Sequence, residues 1–114
     1  MKLRIVNVTV NTERPKELAK WWAAALGTEI SKDWGEYVVV GDGESTGMSF
    51  QYVEGSIPGR VHVDLVSADA EATVGRLVEA GARRVGDHEA PGGAFTWTVL
   101  TDPDGNQFCV SSGE

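Results

Sequence analysis

Gly59-Arg60-Val61-His62-Val63-Asp64-Leu65-Val66 is the stretch on which the reading of this chain turns, because it restarts a pattern begun at residues 3–10. Val6-Asn7-Val8-Thr9-Val10 lies over Val61-His62-Val63-Asp64-Leu65 at an offset of 55 residues. A helix-like segment follows each, ending Ala25-Leu26-Gly27 and Glu79-Ala80-Gly81. Residues 36–42 then match 96–102, and Gly47-Met48-Ser49-Phe50-Gln51 matches Gly105-Asn106-Gln107-Phe108-Cys109, at offsets of 60 and 58. A period near half the chain means two copies of one supersecondary unit, since a solenoid needs at least three.

Within each copy the periodicity changes in a fixed order. Residues 3–10 alternate, with Val6, Val8 and Val10 on one face and Ile5, Asn7 and Thr9 on the other, as in a half-buried strand. Pro15 suits the first turn of a helix, where its missing N–H costs no hydrogen bond. That helix is predicted to run to about Leu26, with Leu18, Trp21, Trp22, Ala25 and Leu26 as its apolar stripe and Gly27 as its stop. Strands follow at 28–31, 36–40 and 48–53, the last two flanking a glycine-rich loop at 41–47 that reads as a hairpin loop or flap.

After a junction at 54–59 the plan repeats. Val61, Val63 and Leu65 face the second helix, so Arg60, His62 and Asp64 stand on the side where Asn7 stood. Asp69 is the expected N-cap, and Ala70, Val74, Leu77, Val78 and Gly81 form the stripe. Strands are predicted at 83–87, 95–101 and 106–111, with a loop at 86–93 and a tight turn at Asp102-Pro103-Asp104-Gly105. The prediction is an α+β fold: one domain, 1–114, made of βαβββ units at 1–53 and 60–114.

With 17 acidic and 10 basic residues the net charge is −7, which speaks against a nucleic-acid or anionic-membrane partner. It suits a cationic ligand, and it serves equally as a solubility device. Cys109 is the one cysteine, so no internal disulfide forms and a reducing, cytoplasmic setting is expected. The opening residues are too short and too polar for a signal sequence or a membrane span.

The second unit, above all Val61-His62-Val63-Asp64-Leu65 and Thr101-Asp102-Pro103-Asp104-Gly105-Asn106-Gln107-Phe108, resembles the vicinal oxygen chelate superfamily. That superfamily includes glyoxalase I, bleomycin-resistance proteins and extradiol dioxygenases, and the likeness spans nearly the whole chain. It implies two βαβββ units forming a curved sheet around a concave cavity, with the helices outside, and a homodimer. It also implies that metal-using members draw ligands from the first and last strands of each unit. Carried over by position, those places are Asn7, Gln51, His62 and Cys109; Cys109 stands where a glutamate is usual, and Asn7 is a poor ligand.

Each candidate residue has a plain alternative. His62 can ligate a metal, move a proton or bond a ligand, or it can simply bond Asp64 or a backbone carbonyl. Asp64 can serve as a base or an anchor for a cation, or can pair with Arg60. Cys109 can act as a nucleophile beside His62, or as a small buried apolar group. Asn7 and Gln51 can orient a ligand or bond each other. Trp21 and Trp22 fall on the helix stripe and belong to the core, whereas Trp34 and Trp97 suit stacking on a flat ligand. Zinc, nickel, iron or manganese would want three or four good donors. The inherited positions offer too few, and His88 falls in the predicted loop, so no metal is assigned; His62 and Gln51 are the donors if one is held. The reading favoured is sequestration of a small cationic or aromatic molecule, in the manner of bleomycin-resistance proteins. The alternatives are a metal-dependent lyase, isomerase or dioxygenase centred on His62, and a metal-free enzyme using His62 for proton transfer.

Overall fold

A computed structural model describes residues 5, 7–59, 61–93 and 95–112; the expectations for Leu3, Val6 and Arg60 lie outside the described residues. The chain divides into two compact units between Ile57 and Pro58, inside the expected junction. The first unit runs β1 (Asn7–Thr12), α1 (Pro15–Leu26), β2 (Ile30–Asp33), β3 (Tyr37–Val40) and β4 (Gly47–Tyr52). Its sheet has the order β1-β4-β3-β2, with β1 parallel to β4 and the other pairs antiparallel. The second unit repeats this as β5 (Val63–Val66), α2 (Ala70–Glu79), β6 (Arg83–Glu89), β7 (Thr96–Thr101) and β8 (Gln107–Ser111), in the order β5-β8-β7-β6. A parallel pair cannot be joined by a hairpin, so each unit's first and last strands are brought together across everything between them. No described helix is long and apolar enough to cross a membrane.

Each helix covers one face of its own sheet. Pro15 opens α1, and Gly27 closes it in the left-handed region at φ 71°, a conformation that costs a residue without a Cβ little. The buried stripe of α1 is Pro15, Leu18, Ala19, Trp22 and Ala23, packed on the face of β3 and β4 that carries Val38, Val40, Met48 and Phe50. The expected stripe is therefore rotated: Trp21 is half-buried, edge-on to Trp22 at 5.2 Å, and Leu26 is 41% exposed. Ala19 and Ala23 are buried together with Leu18 and Trp22, small and large side chains sharing the buried face. In the second unit Val74 and Leu77 of α2 are buried where the helix packs on β8, which carries Phe108 and Val110, while Val78 stays exposed. Asp69 caps α2 as expected, accepting from the Ala72 N–H at 3.1 Å.

The turn before β8 is a closed polar network. The Asp102 carboxylate, buried, accepts from the Asp104 and Asn106 N–H groups at 2.9 and 2.8 Å and from Asn106 Nδ2 through both its oxygens. Asn106 Oδ1 in turn accepts from the Gly59 N–H at 3.1 Å, tying the turn to the start of the unit. Gly105 sits at φ 91°, and a Cβ there would lie 3.1 Å from Pro58. Removing the carboxylate leaves several buried donors without an acceptor. Asp102→Ala is expected to lower the unfolding free energy by about 3 kcal/mol, read by urea denaturation followed by tryptophan fluorescence.

Candidate functional site

Register decides which side chains meet. In β5 and β8 the pairs are Val63 with Phe108, Asp64 with Cys109 and Leu65 with Val110. Phe108 and Val110 belong to the core, so Asp64 and Cys109 share the opposite, open face. In β7 and β8 Val99 pairs with Cys109 and Trp97 with Ser111, which puts Trp97 and Val99 on that open face too. Together with His62, Phe95 and Gln107 these residues line a cavity of about 470 Å³ built within the second unit. Four predicted residues, His62, Asp64, Trp97 and Cys109, are thus brought together.

At one end of this cavity the donor atoms of His62, Asp64 and Cys109 all lie within 4.8 Å of one another. His62 Nδ1 is 3.3 Å from Asp64 Oδ1, an ion pair whenever the imidazole is protonated. Burial pushes the Cys109 thiol pKa up, and the Asp64 carboxylate adds to this as a negative charge and as an acceptor for the thiol proton. Cys109 is therefore held as a thiol, which is the weak form of the nucleophile. The donor set itself is of a kind a borderline ion accepts: one imidazole, one carboxylate and one sulfur, leaving an open position. Gln51, the expected companion of His62, stands on the first unit's sheet, and the donors gathered around His62 within its own unit are Asp64 and Cys109.

His88 corrects the sequence reading. It lies on β6, which continues to Glu89, and pairs with Trp97. The strand continues two residues past Asp87, its expected end, with a register shift between Arg84 and Gly86. The imidazole stacks on Trp97 with centroids 5.6 Å apart and planes at 21°, and Phe95 approaches the same indole at 5.5 Å. The open face of the second sheet thus carries a row of three rings beside the polar group. The signal for this was the alternation of His88 with Gly86, which holds only if the strand runs on past Asp87.

On the first unit, Asn7 lines a separate cavity of about 760 Å³ with Lys32, Trp34, Tyr37 and residues of the 41–47 loop. Gln51 is exposed and pairs with Asn11 and Tyr37, four residues along the strand from Asn7 and hence about 13 Å away, too far for the two to bond each other. The hydroxyls of Ser49 and Thr9, followed by the Asn7 side chain, draw the Tyr37 phenol pKa below its ordinary value, against the effect of burial. Ser49 Oγ is nevertheless fully buried without a hydrogen bond of acceptable geometry, so its influence on Tyr37 is that of a nearby dipole.

Register also corrects the alignment of the two first strands. Phe50 and Phe108 are equivalent and both fully buried, but Phe50 pairs with Val10 and Phe108 with Val63. His62 therefore takes the place of Thr9, and Asp64 that of Asn11, two residues from the positions the repeat suggests. The Cys109 environment gives a direct check. Alkylation of Cys109 by iodoacetamide at pH 8 is expected to be slow, and Asp64→Asn, by lowering the thiol pKa, should accelerate it about three- to tenfold.

A family model described as a glyoxalase-like domain matches residues 7–111. No curated protein matches the chain. Among solved structures, a glyoxalase/bleomycin resistance protein/dioxygenase family enzyme from Burkholderia phytofirmans PsJN is 16% identical with a TM-score of 0.75, covering 96% of this chain and 98% of that one. A bleomycin resistance determinant encoded on transposon Tn5 is 17% identical with a TM-score of 0.72, covering 95% and 96%. Lactoylglutathione lyase from Agrobacterium tumefaciens is 15% identical with a TM-score of 0.73, covering 97% and 94%. At such identities the likeness shows the shared fold.

Proposed function

The chain belongs to the glyoxalase-like domain family, and from that footing we propose that it binds a small, flat, cationic organic molecule on the open face of its second unit, sequestering it without chemistry. The observation that carries this reading is the pairing of an apolar wall, the rings of Phe95 and Trp97 with Val99, with a polar group of His62, Asp64 and Cys109 around one cavity. A ring stacks on Trp97 while Asp64, three-quarters exposed, meets a cationic group. A mostly apolar pocket of a few hundred Å³ with a few convergent polar groups is the usual form of a small-molecule site. Binding is favoured over nucleophilic catalysis because the Cys109 thiol is held protonated. The test is calorimetric titration with planar aromatic amines. Trp97→Ala should weaken binding about tenfold or more through lost stacking, and His62→Ala only a few-fold. Unchanged affinity in Trp97→Ala would sink the reading.

A second reading, a metal-dependent lyase, isomerase or dioxygenase, is favoured by the convergence of His62, Asp64 and Cys109. An ion there would polarise a carbonyl or hydroxyl oxygen of a substrate; His62 and Cys109 would hold it, with Asp64 orienting His62 or joining as a third donor. Titration with cobalt(II) checks this without a substrate: a sulfur-to-metal charge-transfer band that disappears in Cys109→Ser supports the second reading, and its absence leaves the first.

A further inference from the structure

The cavity of the first unit is built by a defect in β2. Ile30 pairs with Val40, and regular antiparallel pairing would then set Lys32 against Val38, on the helix side. A bulge between Ile30 and Lys32 sets Lys32 against Val39 instead. Such insertions re-aim a side chain to the other face of a sheet, and here the re-aimed residue is a lysine. Asp33, pairing with the buried Val38, points the opposite way and takes Lys16 of α1 at 2.8 Å. The two lysines are thereby separated in role: Lys16 is neutralised, whereas Lys32 has no carboxylate partner among the described residues.

What Lys32 does approach is an indole. Its Nζ lies 5.4 Å from the Trp34 ring centroid. Trp34 is 63% exposed and its backbone is fixed from both sides: the Trp34 backbone N–H donates to the Tyr37 carbonyl at 2.9 Å, and the Asp33 carboxylate accepts from the Gly35 N–H at 2.8 Å, closing the turn. Its ring lies 6.1 Å from that of Tyr37 at an interplanar angle of 27°. An exposed tryptophan aligned with a tyrosine and carrying an unpaired ammonium is a preformed platform for a π-system with an anionic end.

The cation beside the indole sets the sign of the group bound there. Asp42 and Glu44 of the 41–47 loop also line the cavity; the Asp42 carboxylate accepts from the Glu44 and Ser45 N–H groups at 2.9 and 3.4 Å and shapes the loop, so Lys32, which lies over the Trp34 ring, is the charge a ligand stacked on that ring meets. A cationic ligand on the indole would be repelled by the Lys32 ammonium, whereas a carboxylate would be attracted to it. We infer that the first unit carries a recognition site of its own for a planar aromatic carboxylic acid, its ring on Trp34 and Tyr37 and its carboxylate on Lys32. The site uses first-unit residues alone and does not rest on the binding proposed for Trp97.

The test uses the full chain and two probes of like shape and opposite charge, 2-naphthoate and 2-naphthylmethylammonium. Binding is read from the indole N–H resonances of Trp34 and Trp97, assigned with Trp34→Phe and Trp97→Phe. The expected result is a saturable shift of the Trp34 resonance by 2-naphthoate, weakened about tenfold in Lys32→Met and kept in Lys32→Arg. An amide spectrum unchanged in Lys32→Met shows that the variant is folded, as expected for an exposed edge-strand position. Tighter binding of 2-naphthylmethylammonium at Trp34, unaltered affinity in Lys32→Met, or no response of Trp34 to either probe would each overturn the inference. A response at Trp97 alone would overturn it as well, and would leave the second-unit reading standing.

Discussion

The parallel pairing of the first and last strands in each unit is the constraint on which the rest depends. Parallel neighbours require a long crossover, and here the crossover is a helix and two further strands. The helix takes one face of the sheet and buries Phe50 or Phe108 completely. The other face is left open, and because strands alternate, every second residue of β5, β7 and β8 is delivered to it. Asp64 meets Cys109 only because the beginning and the end of the unit lie side by side. Loss of that pairing would remove the core and the polar group together.

The most recognisable segment of the sequence does structural rather than chemical work. The Asp102 carboxylate is fully engaged with the Asn106 side chain and two backbone N–H groups, so it has no capacity left for a ligand. Its service is to start β8 at the correct residue. A slip of one residue there would turn Cys109 toward the helix and Phe108 toward solvent. The turn therefore acts on the site through register.

One scaffold carries two different surfaces. The open face of the second sheet presents stacked rings beside an imidazole, a carboxylate and a thiol, with negative charge from Asp64. That of the first presents an indole, a phenol and an ammonium. The duplication preserved what the fold needs, the helix stripe and the buried phenylalanine, and left the open positions free to diverge. Charge is set locally at each surface: the Lys32 ammonium stands over the indole of the first, and the Asp64 carboxylate beside the imidazole of the second.

Features written in short-range chemistry were legible from residues alone. Alternation of period two assigned His62 and Asp64 to one face of their strand, the family resemblance brought Cys109 to the same cavity, and Pro15, Gly27 and Asp69 marked helix ends through their own backbone and side-chain preferences. Where each strand slides against its neighbour was not legible, because a shift of two residues keeps every side chain on its face and leaves the pattern unchanged. That shift set Asp64, rather than His62, directly beside Cys109, and kept Asn7 away from Gln51. The continuation of β6 past Asp87 to His88 and the turning of Lys32 by a bulge were equally hidden. Both are properties of a strand's partner, chosen by contacts across the sheet rather than by the residues next along the chain.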